Sequence, residues 1–244
     1  MKVTFIGTGD AFGSGGRFNT CIMVETDNHR RFLIDYGATS LVAMKNLGID
    51  SNSIDAIFIT HLHGDHFGGL PFFLLDAQFS KRNTPLVLVG PATFKQRLHE
   101  AREVLFSGSS ETPPKFDLVI DEFAVEEPYR WTDLTITPYE VDHFCGAPPL
   151  AVRMEHEGKI VAYTGDTQWT DTLIEVCADA DLMIAEAYYF EKKIKWHLDY
   201  LSLMANIDRI KPKRLVITHM SEDMLGRVDE VGCDVAEDGK VFEI

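Results

Sequence analysis

Four separate apolar runs in this 244-residue chain each lead into a histidine or an aspartate. Ile54 to Thr60 runs into His61-Leu62-His63-Gly64-Asp65-His66, and Leu134 to Val141 is followed by His143. Lys159 to Ala162 precedes Tyr163-Thr164-Gly165-Asp166-Thr167, and Arg214 to Thr218 precedes His219. Short apolar runs of this kind read as buried strands. Open α/β sheets place their ligands at the C-terminal ends of strands. The pattern therefore calls for a sheet-based fold that gathers several strand ends around one site.

The hexapeptide His61 to His66 carries four metal-ligand side chains. Imidazole and carboxylate suit zinc or a similar divalent transition metal. His61 and His63 stand two apart on an extended segment, so they point the same way and can grip one ion. Gly64 lets the chain turn and aims Asp65 and His66 elsewhere, toward a second ion. The bland alternative is a polar loop with scattered histidines. It fits poorly, because three of the nine histidines fall in this one stretch. For His143, Asp166 or His219 taken singly, a structural role explains the residue as well as a ligand role. As a set of seven with the hexapeptide, coincidence is a poor account.

The chain is long enough for a sizeable core. No linker, repeat or low-complexity tract divides it, so the expectation is a single domain over residues 1–244. The hydrophobic share of 45% and the charged share of 25% are ordinary for a globular protein. No apolar stretch reaches the roughly 18 residues of a membrane span. The N-terminal run Met1 to Ile6 passes straight into Gly7-Thr8-Gly9 and is too short for a secretory signal. Cys21, Cys145, Cys177 and Cys233 are dispersed, which suits a reducing cytoplasm and argues against a structural zinc knuckle. Net charge is −15, so the chain repels polyanions unless a basic patch or the metals offset the field. Lys192, Lys193 and Lys195, and then Lys211, Lys213 and Arg214, read as solvated flanks that can guide a phosphate.

Val3 to Ile6, Thr20 to Glu25 and Arg31 to Ile34 read as strands, and Ser40 to Leu47 as a helix stopped by Gly48. Pro71 to Phe79 reads as an apolar helix, Leu86 to Val89 as a strand and Pro91 to Phe106 as a helix with Pro in its first turn. Ser107 to Pro114 reads as a loop flanking the site, and Phe116 to Ile136 as mostly strand. Leu150 to Glu155 and Lys159 to Ala162 form a hairpin around Glu157-Gly158. Thr170 to Ala178 is helical, Leu182 to Ala185 a strand and Tyr200 to Ile210 a helix, and Asp238-Gly239 closes a terminal hairpin. Strand clusters followed by strand–helix alternation, twice over, fit a four-layer αββα sandwich. His29, His99 and His156 fall outside the motifs and read as surface residues.

The order H-x-H-x-D-H, then His, then Gly-Asp-Thr, then Thr-His resembles the metallo-β-lactamase-fold hydrolases. Phe5-Ile6-Gly7-Thr8-Gly9, Leu33-Ile34-Asp35-Tyr36-Gly37 and Thr60 to Pro71 resemble the ribonuclease Z-like phosphodiesterase branch, over essentially the whole chain. The resemblance implies that His61, His63 and His143 hold one metal. Asp65, His66 and His219 hold the other, and Asp166 bridges them. Two cations about 3.5–4 Å apart can share a hydroxide, clamp a phosphate and stabilise the leaving oxygen. Asp65 can also orient that hydroxide, although a metal-bound carboxylate is a weak base. The metals expected are two divalent ions, zinc first, with manganese or iron also accommodated. By the same resemblance Glu186 pairs with His197, which then gives a hydrogen bond or proton to the phosphate or leaving oxygen. A strand-end glutamate and a solvent-facing histidine are the plainer alternative. Asp35 reads as a support for a ligand histidine or as a turn aspartate. Gly7, Gly9 and Gly13 to Gly16 can let backbone approach the site, but a glycine-rich turn has ordinary uses too.

Departures from relatives narrow the function. Lactamases of this fold typically place a cysteine at the second metal, and flavo-diiron relatives an acidic residue where His63 stands. Bacterial ribonuclease Z inserts a long tRNA-gripping arm between the residues matching His143 and Asp166. Here only residues 144 to 165 lie there, and they read as a loop plus a hairpin. The expected substrate is therefore a small phosphodiester such as a cyclic nucleotide, a short oligonucleotide or a sugar phosphodiester. The alternatives are tRNA 3′ processing and hydrolysis of a thioester, lactone or lactam; a non-catalytic metal-binding protein fits least, since all seven ligands are kept. A homodimer is suggested only by the resemblance and by the apolar Pro71 to Leu75, for which burial within the monomer is the plainer reading.

Overall fold

Alternation along the strands decides the architecture. In the computed structural model, which describes all 244 residues, the first sheet holds β1 (Lys2–Gly7), β2 (Cys21–Glu25), β3 (Arg31–Ile34), β4 (Ala56–Phe58), β5 (Leu86–Gly90) and β6 (Leu118–Glu122). The second holds β7 (Tyr129–Trp131), β8 (Leu134–Glu140), β9 (Leu150–His156), β10 (Lys159–Tyr163), β11 (Leu182–Glu186), β12 (Leu215–Thr218) and β13 (Asp234–Val235). The last strand, β14 (Val241–Glu243), returns to the first sheet. The orders are β14-β1-β2-β3-β4-β5-β6 and β13-β12-β11-β10-β9-β8-β7.

Val3, Phe5, Ile22, Val24, Phe32, Ile34 and Phe58 face Leu150, Val152, Met154, Val161, Tyr163 and Ile184 in one apolar layer between the sheets. Their neighbours Ile6, Cys21, Met23, Leu33 and Ile57 point the other way, as a period of two requires. There they meet α1 (Ser40–Asn46), α3 (Leu70–Phe79) and α4 (Phe94–Leu105). On the far face of the second sheet, Ala162, Met183, Ala185 and Ile217 pack with α5 (Thr172–Cys177), α6 (Tyr200–Ile210) and α7 (Glu222–Leu225). Both faces of both sheets are covered, which is why the strands read as near-continuous apolar runs. The αββα sandwich expected from the sequence is the observed fold.

Four details differ. α4 begins at Phe94 rather than Pro91, because Thr93 sits at φ 73°, outside the helical region. Ile54 to Thr60 is strand only over β4, since its end is already turning into the hexapeptide. Asp238-Gly239 does not close a hairpin. β13 pairs with β12 in one sheet and β14 with β1 in the other, so the turn carries the chain between sheets. His156 is not a surface residue: it ends β9 and is only 1% exposed. Pro71, Phe73 and Leu74 of α3 are buried within the monomer, while Phe72 is exposed. All four cysteines are unpaired, and no helix is long and apolar enough to cross a membrane.

Candidate metal centre

β4 delivers His61 and His63 just beyond its end, and α2 (Gly64–Phe67) then carries Asp65 and His66 in a single helical turn. The redirection of Asp65 and His66 comes from that turn, which Gly64 opens. His143 follows β8, Asp166 follows β10 and His219 follows β12. The residues are far apart in sequence and meet because these ends share one edge of the sandwich. Donor atoms of His61, His63 and His143 lie within 4.8 Å of one another. The same holds for Asp65, His66, Asp166 and His219. His143 Nε2 is 3.0 Å from His63 Nδ1. His219 Nε2 is 3.3 Å from Asp65 Oδ2 and 3.4 Å from Asp166 Oδ2, and His66 Nε2 is 3.3 Å from Asp166 Oδ1. On the other side, Asp166 Oδ2 is 3.9 Å from His61 Nε2. Asp166 thus stands between the two groups.

Several of these rings are fixed by the nitrogen that faces away from the cluster. His143 Nδ1 donates to the Trp196 carbonyl at 2.8 Å. His66 Nδ1 donates to Asp35 Oδ2 at 2.7 Å, and Asp35 is itself held by the backbone N–H of Thr60 at 2.7 Å and its hydroxyl at 2.8 Å. Such partners set tautomer and ring angle. Asp35 and His219 both adopt positive φ, 60° and 55°. Backbone strain of this kind persists where surrounding contacts over-determine it. Gly37 makes room for the hexapeptide: a Cβ there would stand 2.2 Å from the Asp65 carbonyl oxygen.

Electrostatics tie the cluster together. Burial pushes His61 well below the ordinary histidine range. For His66 and His219 burial acts in the same direction, but Asp166 and the other carboxylates outweigh it and hold both well above that range. Burial would raise Asp166, yet His219 and His66 hold it well below the usual carboxylate range. His61 Nε2 and Asp166 Oδ1 are buried without a hydrogen-bond partner. Buried polar atoms are normally satisfied, and imidazole nitrogens with carboxylate oxygens are the donors zinc-like cations take. The residues fit two divalent cations.

Beside this cluster, Glu186 at the end of β11 is fully buried and hydrogen-bonds His197 Nδ1. Its other oxygen accepts from the backbone N–H of Thr167 at 2.9 Å and of Leu198 at 3.2 Å. Burial pulls His197 down, but Glu186 more than compensates and its pKa rises. His197 Nδ1 is 3.9 Å from Asp166 Oδ2, and its ring stacks on His219 at 6.0 Å between centroids. The structure therefore brings together His61, His63, Asp65, His66, His143, Asp166, His219, Glu186 and His197. Sequence reasoning missed the Trp196 carbonyl, Thr60, and Tyr188, whose ring lies 4.8 Å from that of His197. Backbone acceptors leave no mark on residue type. Tyr188 had a signal only in its position two residues after Glu186.

The family model described as Anti-Pycsar protein Apyc1 matches residues 1–242. A ribonuclease Z from Anoxybacillus flavithermus is 24% identical, covering 99% of this chain and 93% of its own. Among solved structures, the short form of human tRNase Z superposes with a TM-score of 0.82 at 23% identity, covering 100% of this chain and 99% of its own. A diphosphatase of the PhnP family gives 0.78 at 20% identity, covering 100% and 97%.

Proposed function

The chain belongs to the Anti-Pycsar protein Apyc1 family, and from that footing we propose that this metal-dependent hydrolase cleaves a small phosphodiester. The observation that carries the reading is the Glu186–His197 pair set against a cluster able to hold two metals. In this reading His61, His63 and His143 would hold one cation and Asp65, His66 and His219 the other, with Asp166 within reach of both groups. Bound there, the cations would supply a nucleophile at neutral pH and neutralise charge on the phosphate. Zinc suits the donors best, with manganese or iron as alternatives.

His197 is placed to serve a phosphate. Glu186 occupies Nδ1, so Nε2 is left to donate to a phosphate oxygen or to the leaving oxygen. As the P–O bond breaks, the departing oxygen takes that proton, and water supplies the group that replaces it at phosphorus. Burial of Glu186 keeps the pair in register, and its charge favours the protonated form of His197.

Substrate size follows from what fills the space between His143 and Asp166. A loop and the β9–β10 hairpin occupy residues 144–165, and no arm extends from them. Phe144 and Trp196, 73% and 40% exposed, adjoin His143 and His197 and approach each other to 6.1 Å. Exposed aromatic faces beside a phosphate site suit a nucleobase, which favours a cyclic nucleotide or short oligonucleotide over a sugar diester. The second reading is tRNA 3′ processing, favoured by relatives named ribonuclease Z that match over nearly their whole length. Net charge of −15 counts against it. The unpaired cysteines are consistent with a cytoplasmic enzyme.

The test is a panel of substrates for the metal-loaded protein: cyclic mononucleotides, dinucleotides, a precursor tRNA, a thioester and a lactone. Faster turnover of the small diesters supports the reading. Preferred cleavage of the tRNA sustains the second reading, and activity confined to the thioester or lactone rules out both.

A further inference from the structure

The end of the sandwich opposite the metal centre holds a histidine with no ordinary explanation. His156 closes β9 and pairs with Lys159, across a turn in which Glu157 and Gly158 adopt φ of 48° and 75°. Its side chain is buried, yet neither ring nitrogen has a hydrogen-bond partner. A buried imidazole left wholly unpartnered is uncommon. Two carboxylates stand beside it. Asp133, in the two-residue turn between β7 and β8, places Oδ2 3.7 Å from His156 Nδ1. Glu157 is the adjoining residue of the β9–β10 turn. One donor atom from each of Asp133, His156 and Glu157 lies within 4.8 Å of the others.

We propose that Asp133, His156 and Glu157 form a third divalent-cation site, structural in role and separate from the catalytic pair. Tetrahedral donors around zinc, each at about 2.1 Å, stand roughly 3.4 Å apart, so rotations of two exposed carboxylates complete the contact. One imidazole with two carboxylates suits zinc or manganese, with water in the remaining positions. The Asn28 side-chain amide, from the β2–β3 turn of the other sheet, donates to Asp133 Oδ2 at 2.7 Å and orients it. This is the supporting contact expected around a metal-bound carboxylate. A cation here ties the β7–β8 and β9–β10 hairpin tips together at a point where the first sheet also reaches in. β10 runs its whole length from this turn toward Asp166, which at ~3.3 Å per residue separates the site from the catalytic cluster by roughly 15 Å. The net charge of −15 favours cation capture at the chain's surface.

The test counts bound Mn2+ and Zn2+ in the full chain by elemental analysis after removal of free ion. Wild type is compared with the Asp133→Asn/Glu157→Gln double variant, which leaves the buried His156 and its packing in place. The expected result is one ion fewer per chain in the variant, with unchanged phosphodiester turnover. An anomalous-diffraction peak should appear within bonding distance of a His156 ring nitrogen in manganese-loaded wild-type crystals. Equal ion counts in the two proteins, or no peak beside His156 at full loading, overturn the proposal.

Discussion

Asp35 touches no proposed metal ion, yet it governs the presentation of His66. Its Oδ2 accepts a hydrogen bond from His66 Nδ1 at 2.7 Å, leaving Nε2 aimed at Asp65, Asp166 and His219. Burial raises its pKa, a tendency that His66 and Thr60 partly counter. Replacing Asp35 by Asn keeps the volume but removes the charge. Metal affinity should fall by about 10- to 100-fold, measured by competition with a chromophoric chelator; unchanged affinity would show that His66 needs no such support. Gly37 makes a sterner demand. A Cβ there meets the Asp65 carbonyl at 2.2 Å and the Asn19 Cβ at 2.4 Å. Gly37→Ala should cost about 1–3 kcal/mol of stability, as overpacking does, and weaken metal binding by displacing Asp65. Denaturant melts and the same chelator assay check both halves. The seven histidines and aspartates that the structure gathers were legible from residue type and from the apolar runs they follow, and Glu186 with His197 only through the family resemblance. Their supports were not, because a carbonyl such as that of Trp196 acts through backbone. His156 was misread for a related reason: a lone histidine outside any motif carries no sign of what covers it.

Elements are held by polar clips as well as by the apolar layers. Asp181 stands just before β11 and accepts from the Ile160 N–H of β10 at 2.9 Å and from Lys213 Nζ at 2.9 Å. Burial raises its pKa, but Lys213, the Ile160 N–H and Lys159 outweigh it and hold the carboxyl below its ordinary value. A carboxylate depressed in the folded state stabilises the fold above its unfolded pKa of about 3.9. That contribution is lost as pH falls through the lowered folded value. Asp181→Asn should therefore lower the denaturation midpoint at neutral pH, with the gap from wild type narrowing below about pH 4. A gap independent of pH would mean that packing, not charge, carries the effect. The two sheets and five of the seven helices were legible as elements, because covered faces make strands apolar throughout and helices periodic. α2 and α7 were not, since four residues each are too few to show a period. The fate of Asp238-Gly239 was not legible either. A turn motif specifies a reversal, not which sheet the next strand joins. Here Asp238 accepts from the N–H groups of Thr8 and Phe18, and Gly239 donates to Phe5, so the turn is pinned to the first sheet and β14 pairs with β1.

At the scale of the whole molecule, the small-diester reading we propose rests on the Glu186–His197 pair beside the metal cluster and on the short segment between His143 and Asp166. The acidic surface argues the same way, since it disfavours a long polyanion while two cations offset the field locally. Neither the fold nor the ligand set alone separates phosphodiester from acyl chemistry; in the reading we propose, His197 beside Glu186 tips the balance toward phosphate. The most direct measurement is hydrolysis of bis(p-nitrophenyl) phosphate by metal-loaded wild type and His197→Ala, with metal content determined for both. The account predicts clear turnover by wild type and a fall in kcat of about 10²- to 10⁴-fold in the variant, with the metals of the centre retained. Equal turnover by the two metal-replete proteins, or none by wild type alongside hydrolysis of a thioester, would contradict it.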